Sequence, residues 1–386
     1  MRILHLTWAL TGGGAERQLA YVSGELQRRG HDVHVGYVDN GPGAWAGDVP
    51  TAKLSPRSPR RPHDPRLITD VLRLIRARET DVIQTWVLSM DVVGGLAATI
   101  ARVPWVVRES SAGQLYGHRF KSRLRLRVAG AGARSIVANS AGGRDYWSGH
   151  APRVPSTIIR NAVPIDDVRA AGPGADAAGT PAGIHVGRLD PEKNVDMLLR
   201  ASAEVMARRP FVLRLCGDGA ERHRLASLAS ALGIAPRVEF HGYVDDVWRR
   251  VRAARVALLL SSVEGDPNAV IEAFAAGTPV ILSDIGAHRE IADDRQALFV
   301  PANDVNATAR AIHAILDHPE AAQERAARAS QSINDRSITA ATTAFEEMYR
   351  TVLAGAVLTS SDRAPLRKPA RPIAPAERTG PENERG

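Results

Sequence analysis

Short apolar runs alternate with amphipathic helical patterns almost from end to end of the chain. "RILHLT" near the start reads as a first buried strand. A helix is predicted from about Glu16 to Arg29, with Leu19, Val22 and Leu26 on one face and Gly30 as its stop. "DVHVGYV", "DVIQTW", "PWVVRE", "SIVANS" and "STIIRN" read as further strands, mostly with helical stretches between them, which implies parallel sheet with crossover helices. At residues 170–183, "AAGPGADAAGTPAG", the pattern fails, because Ala, Gly and Pro give a core nothing to bury. It then resumes through "GIHVGRL", "FVLRLCG", "VEFHGYV", "VALLLSS", "PVILSD" and "ALFVP". The expectation is α/β: two doubly wound halves, residues 1–168 and 184–337, joined by a linker at 169–183. A helical stretch at 338–356 follows, whose pattern leaves its partner open; packing back on the N-terminal half is one course. Residues 357–386, rich in Pro and charge, are expected to be disordered.

Composition narrows this picture. At 386 residues there is chain enough for two domains with separate cores, and 44% apolar with 24% charged residues is the balance of a soluble globular protein. No stretch has the apolar length of a membrane span, and "MRILHLTWAL" lacks a signal-peptide cleavage site, so the cytoplasm is the expected compartment. The single cysteine, Cys216, excludes an intrachain disulfide and a cysteine-rich metal site. A net charge of +8 calls for an anionic partner. With 5% aromatic residues and no recognition signature, nucleic acid is not expected to be that partner.

Ligands of open α/β sheets bind at the carboxyl ends of the strands, so two facing sheets make a cleft lined by strand-to-helix loops. Three loops there carry candidate chemistry. "TGGGAER", residues 11–17, joins the first strand to the first helix; its glycines permit close backbone approach and its helix start offers N–H groups to an anion. A dinucleotide fold would use Asp39 as its ribose acid, but Arg17 stands where the third glycine belongs; a merely flexible turn is the plainer alternative. "GRLDPEKN", residues 187–194, sets Arg188 and Lys193 about a new helix start, a fork and a point charge suited to a diphosphate. Equally, those cations would pair with Asp190 and Glu192. In "SSVEGDPNAVIEAFAAGTPVILSD", residues 261–284, Asp266 is expected as N-cap and Pro267 as the first helical residue. The N–H groups of Asn268 and Ala269 would then meet an anion. Glu264 would sit at the cleft mouth, and Glu272 in the helix would accept from a ribose diol. The alternative is that Glu264 caps a turn and Glu272 offsets the helix dipole.

"GGGAER", "HVGRLDPEKN", "CGDG", "HGYVDDV" and "SSVEGDPNAVIEAFAAGTPVILSDIGAHREI", in that order over about residues 1–350, resemble the retaining GT-B glycosyltransferases of family 4, marked by E-x7-E. The resemblance implies two Rossmann-like domains facing across a cleft, a nucleotide-sugar donor such as a UDP- or GDP-sugar, and a lipid-linked or polysaccharide acceptor. It places Glu264 against the donor sugar, Glu272 on the ribose, and Arg188 and Lys193 on the diphosphate. Gly13 and Gly14 would reach toward the donor phosphates. Asn268 and Ala269 fall at the donor helix start, and Gly242, Tyr243 and Val244 fall in the base-binding loop. No metal and no other cofactor is expected, since cations and helix N–H groups stabilise the leaving group. The same fold without catalysis, as a sugar-nucleotide or glycolipid-binding protein, is the alternative.

The sequence departs from the family in four places. Asp266 follows the first Glu-Gly, where it would put an extra acid near the sugar. Arg108 and Glu109 occupy the acceptor-side region where many members carry histidine. "QTW" at 84–86 replaces a common His-containing stretch, and Ala162 stands where glycine is usual. Separately, "HRFKSRLRLRVAG", residues 118–130, would align Arg119, Arg123 and Arg127 beside Phe120, Leu124 and Val128. Such a basic amphipathic helix suits an anionic membrane surface or lipid diphosphate; a solvated helix is the alternative.

Overall fold

A computed structural model describes residues 1–10, 13–39, 49–54, 64–111, 120–172 and 179–355. Among these residues, two all-parallel sheets organise the chain. The first contains β1 (Arg2–Leu6), β2 (Asp32–Tyr37), β3 (Thr51–Lys53), β4 (Val82–Thr85), β5 (Trp105–Glu109), β6 (Ser135–Ala138) and β7 (Ser156–Ile158), in the order β3-β2-β1-β4-β5-β6-β7. The second contains β8 (Ala182–Val186), β9 (Val212–Cys216), β10 (Val238–Gly242), β11 (Val256–Leu259), β12 (Val280–Ser283) and β13 (Leu298–Val300), in the order β10-β9-β8-β11-β12-β13. Strand order reverses beside β1 and beside β8, which opens a crevice at the carboxyl edge of each sheet. The alternation of the sequence thus produces two Rossmann-like halves.

Around the first sheet lie α1 (Gly14–Arg28), α2 (Pro65–Ala77), α3 (Leu88–Ala101), α4 (Phe120–Gly132) and α5 (Ala141–His150). Then come α6 (Ile165–Ala170), α7 (Val195–Met206), α8 (Arg222–Ala231), α9 (Val247–Ala253), α10 (Asn268–Ala276), α11 (Gly286–Arg289), α12 (Val305–Asp317), α13 (Pro319–Ser332) and α14 (Ile338–Leu353). The first two helices show how an apolar stripe selects a buried face. In α1, Leu19, Val22 and Leu26 are buried on the sheet, each contributing on the order of 1.5–3 kcal/mol of transfer free energy. That helix begins two residues before the expected Glu16, because Gly13 takes the extended N-cap conformation. In α2, Asp64 caps the Arg66 N–H, Pro65 opens the first turn, and Leu67, Val71 and Ile75 face inward.

β3 was not expected from the pattern. Its three residues are half exposed at the sheet edge, where only pairing with β2 defines them. The Ala/Gly/Pro stretch at 170–183 already contributes Ala182 and Gly183 to β8, and its residues 173–178 lie outside those described. Just before it, Val163, Ile165 and Val168 pack with Ile184, Val251, Val270 and Phe274, so the chain joins the second core ahead of that stretch. The final described helix, α14, returns to the first half, where Phe345, Met348, Tyr349 and Val352 pack with Leu19, Val22 and Leu26. There a buried relay runs through it: Ser23 Oγ and His5 Nδ1 are 2.7 Å apart, His5 Nε2 and Tyr349 Oη 3.0 Å, and Tyr349 donates to Gln84 Oε1 at 2.6 Å. The tail expected to be disordered, 357–386, is outside the described residues.

Candidate active site

The carboxyl ends of the two sheets face each other, and the loops after β8 and β11 form one wall of the cleft between them. After β8 the chain passes Gly187 and Arg188 into a single 3-10 turn, Pro191–Lys193, then Asn194 in the left-handed region (φ 55°). The Asn194 side chain secures this turn by donating to the Ala302 carbonyl at 2.6 Å. The loop after β11 is stitched to the same turn, since the Ser262 N–H donates to the Glu192 carbonyl at 2.8 Å. Gly217, at the end of β9, closes the floor. Its φ of 141° and the Gly187 carbonyl against its Cα leave no room for a side chain.

This stitching brings Lys193 and Glu264 together. Lys193 Nζ donates to Glu264 Oε1 at 2.5 Å, and Ser261 Oγ donates to the same oxygen at 2.7 Å. Ser261 is itself fixed, because Ser283 Oγ donates to its carbonyl at 2.5 Å. Burial pushes the Glu264 carboxyl up, but the Lys193 charge and these two hydrogen bonds outweigh burial and hold it below the ordinary range. Glu264 is therefore a fixed anion at neutral pH, suited to accept hydrogen bonds and unsuited to donate a proton.

Glu272 lies one turn into α10 and is almost completely buried. It is paired with Arg17 of α1, across the cleft. Burial holds the Glu272 carboxyl above its ordinary range, and the Arg17 guanidinium offsets only part of that rise. The first turns of α1 and α10 meet here: Asn268 Nδ2 donates to the Gly14 carbonyl at 3.4 Å, and Gln18 Nε2 donates to Asn268 Oδ1 at 3.3 Å. Gln18 also grips the Ala162 peptide with both amide atoms, each at 2.7 Å. Glu16 folds over Gly13 and feels the charge of Arg188 from the other side of the gap.

Two expectations about Asp266 are corrected. Pro267, not Asp266, is the N-cap of α10, and Asn268 is its first residue. The Asp266 carboxylate accepts from Arg336 Nη1 at 2.7 and 3.0 Å and from the Asn161 N–H at 2.6 Å. It is spent as a buried junction between the halves, and is not a free acid in the cleft. Gly265 packs closely beside it, with Asn139 and the Ser110 carbonyl about 3.1 Å from where a Cβ would be.

The remaining predicted residues divide. Arg188 is at the cleft, with its side chain 68% exposed and held at 3.0 Å by both Asp190 and Glu192. Gly242 ends β10 in the left-handed region and its carbonyl accepts the Gly217 N–H at 2.7 Å; Tyr243 beyond it is largely exposed, and Val244 packs against the core. Ala269 follows Asn268 in the open first turn of α10. Arg108 and Glu109 are not brought to the cleft surface. Arg108 is spent on the Ile159 carbonyl (2.7 Å) and Asn161 Oδ1 (2.9 Å), over the Phe345 ring. Burial lowers its pKa to about 10, which still leaves it charged at neutral pH. Glu109 accepts from Arg125 at 2.8 Å and from the Trp147 indole at 2.9 Å.

That last bond revises the basic segment. Arg125 faces inward on α4, with Asp91 as its second carboxylate at 2.5 Å, and the buried face of the helix is Ser122, Arg125 and Ala129. Lys121, Arg123 and Arg127 remain exposed, as does Phe120 at 77%; Arg119 lies outside the described residues. Sequence reasoning missed Arg17 as a site residue, reading it only as a missing glycine, and missed Asn139, Asn161, Arg160 and Glu290. Arg160 donates to Glu290 at 2.7 Å, and the first N–H of α5 donates to the same oxygen at 3.0 Å. The one available signal was position, and only for Asn139, Arg160 and Asn161, which come directly after strands at the carboxyl edge; Arg17 lies within α1 and Glu290 ends α11. Among the described residues no group of three or more His, Cys, Asp or Glu side chains is arranged to hold a metal ion, and no helix is long and apolar enough to cross a membrane.

Two facing Rossmann-like halves with this E-x7-E loop define a GT-B architecture, and family comparison agrees. Residues 177–332 match the model for glycosyl transferases group 1 and residues 12–167 match glycosyltransferase family 4. The chain belongs to this glycosyltransferase family. It is 36% identical over 141 residues to the lipopolysaccharide core biosynthesis glycosyltransferase LpsE of Rhizobium meliloti, covering 36% of this chain and 40% of that one. It is 37% identical over 167 residues to D-inositol 3-phosphate glycosyltransferase 2 of Catenulispora acidiphila, covering 38% and 39%. The chain thus spans two fifths or less of the length of these curated relatives. In fold it is similar to Anabaena Alr3699/HepE crystallised with UDP-glucose, at 20% identity and a TM-score of 0.80 over 91% of this chain and 100% of that one.

Proposed function

We propose that the protein transfers a sugar from a nucleotide diphosphate donor, a UDP- or GDP-sugar, to a hydroxyl of a lipid-linked or polysaccharide acceptor, with retention of anomeric configuration. The observation that carries this is the Lys193–Glu264 pair at the β8/β11 crevice with Glu272 one turn deeper. An ammonium has three N–H groups. Glu264 takes one, which leaves two to bind phosphate oxygens while fixing where the ammonium sits. Glu264, kept anionic, orients the sugar and favours the positive charge that grows on its ring. Arg188, Lys193 and the first N–H groups of α10 take up the negative charge of the departing nucleoside diphosphate. The C1–O bond to phosphate breaks, and the acceptor oxygen bonds to C1 on the same face. The acceptor's proton passes to the leaving phosphate. With cations in those positions the reaction proceeds without a bound metal. Crystals of the related-fold HepE with UDP-glucose support a nucleotide-sugar donor, and the name of LpsE supports a saccharide acceptor.

The proposed setting is the cytoplasmic side of a membrane, with exposed Phe120, Lys121, Arg123 and Arg127 on α4 toward anionic headgroups. Thermal unfolding with UDP, GDP, ADP and their sugars tests the reading. A ligand at a hundred times its Kd should stabilise the protein by about 2.7 kcal/mol. If no nucleoside diphosphate raises the Tm, the proposal fails.

A further inference from the structure

The carboxylate assigned above to the donor ribose is held by a residue from the opposite half. Arg17 Nη2 bonds Glu272 and also Tyr21 Oη at 3.2 Å, with the guanidinium 6.0 Å from the Tyr21 ring. Both charges are largely removed from water, so neither can leave the other without a new partner. The surroundings specify what Arg17's new partner would be. The first turns of α1 and α10, each with a partial positive charge, are pressed together by the Gly14, Gln18 and Asn268 contacts. Arg188 lies within electrostatic reach of Glu16 at the same gap. Two helix starts and two arginines converge there, balanced at present by the chain's own carboxylates, Glu272 on Arg17 and Asp190 and Glu192 on Arg188, so an incoming anion would take a carboxylate's place on a cation.

We propose that Arg17 is a diphosphate-binding residue stored on Glu272, which a donor's vicinal ribose hydroxyls displace so that its guanidinium turns to the donor's phosphates between α1 and α10. This rests on the donor site proposed above. The exchange couples the two halves of the ligand. A ribose without phosphates displaces Arg17 from its carboxylate without supplying another anion, and a diphosphate without ribose leaves Arg17 on the carboxylate. Only a molecule carrying both groups satisfies Glu272 and Arg17 together, which makes the site selective for nucleoside diphosphates over nucleosides or pyrophosphate. It also ties the glycine loop of the first half to occupancy of the second.

The test is calorimetric titration of the full-length protein with a nucleoside diphosphate and with its bare nucleoside, for uridine, guanosine and adenosine. The readout is the nucleoside Kd divided by the nucleoside diphosphate Kd. Arg17→Met should lower that ratio about tenfold, because a charge-assisted bond to phosphate is lost while the nucleoside no longer competes with a guanidinium. Arg17→Lys, which keeps the charge, should hold it within about threefold of wild type. Arg17→Gln, able to donate to Glu272, takes the place of Arg17→Met if that variant does not fold. A wild-type ratio in Arg17→Met or Arg17→Gln, with both ligands weakened in step, overturns the inference alone, since Arg17 would then only hold the halves together. Failure of wild-type protein to bind any of the diphosphates overturns the donor site and the inference with it.

Discussion

Two buried guanidinium–carboxylate clusters sit within the same protein and differ in one respect. Arg125 meets Asp91 and Glu109 entirely inside the first half; Thr85 donates to the other Asp91 oxygen, the Ser111 N–H and hydroxyl to the other Glu109 oxygen, and the Trp147 indole shares the Glu109 oxygen that Arg125 binds. Arg17 meets Glu272 between the halves. Both pair an arginine with carboxylate largely out of water, Arg125 more completely than Arg17, so pairing and burial by themselves do not distinguish scaffold from site. What does is whether the partners can separate without unfolding a domain. The Arg125 cluster has no such freedom, whereas relative motion of the halves would give it to Arg17.

Arg125→Met provides the largest break in that comparison. It would strand two buried carboxylates, and urea denaturation should show a loss of about 3–5 kcal/mol. Arg17→Met, whose partner can be reached by water once the cleft opens, should cost about 1–2 kcal/mol; equal losses would remove the distinction. Glu264→Gln should lower kcat about 10²- to 10³-fold while nucleoside diphosphate affinity stays within about threefold, because the charge on the sugar side is lost and the ribose and phosphate contacts are kept. Unchanged turnover would take Glu264 out of the site. Protons sharpen the contrast further. Burial lowers the His5 pKa to about 3 in the first half and the His185 pKa to about 4 in the second, from the ordinary 6.5. Between pH 6.5 and 4 the unfolded chain therefore binds protons at these sites that the folded chain refuses. Their stabilisation is complete above 6.5 and declines with acid by about 1.4 kcal/mol per pH unit for each histidine. His5→Asn should flatten that slope in a series of denaturation curves. The smallest effect belongs to Arg123→Gln and Arg127→Gln, neighbours of Arg125 on the exposed side of α4, which should change stability by no more than about 0.5 kcal/mol.

The same contrast explains what the sequence made legible. Period-2 and period-3.6 patterns are local, so the strands, the helices and their parallel arrangement could be read directly. The E-x7-E loop could be read because strand, turn and helix start are contiguous. β3 could not, since three half-exposed edge residues acquire their conformation from β2. The start of α10 was displaced by Arg336, seventy residues away, which draws Asp266 off the cap position. Arg17 looked like a defect in a glycine motif because its partner lies 255 residues along the chain. Arg125 was not singled out within the basic segment, because both of its acids come from other elements. In every case the missing information was a tertiary partner, and polar residues with long-range partners are those that a local pattern describes least.

α14 has a consequence for the order in which the molecule is made. Its Phe345 and Tyr349 complete the interior around His5, Gln84 and Trp86, yet they leave the ribosome after the whole second half. During synthesis the earlier body must wait with an uncovered seam while the later one matures. The protein is fastened by α14, the last helix among the described residues, so a nascent chain halted before residue 338 would carry a complete second sheet and an unsealed first one.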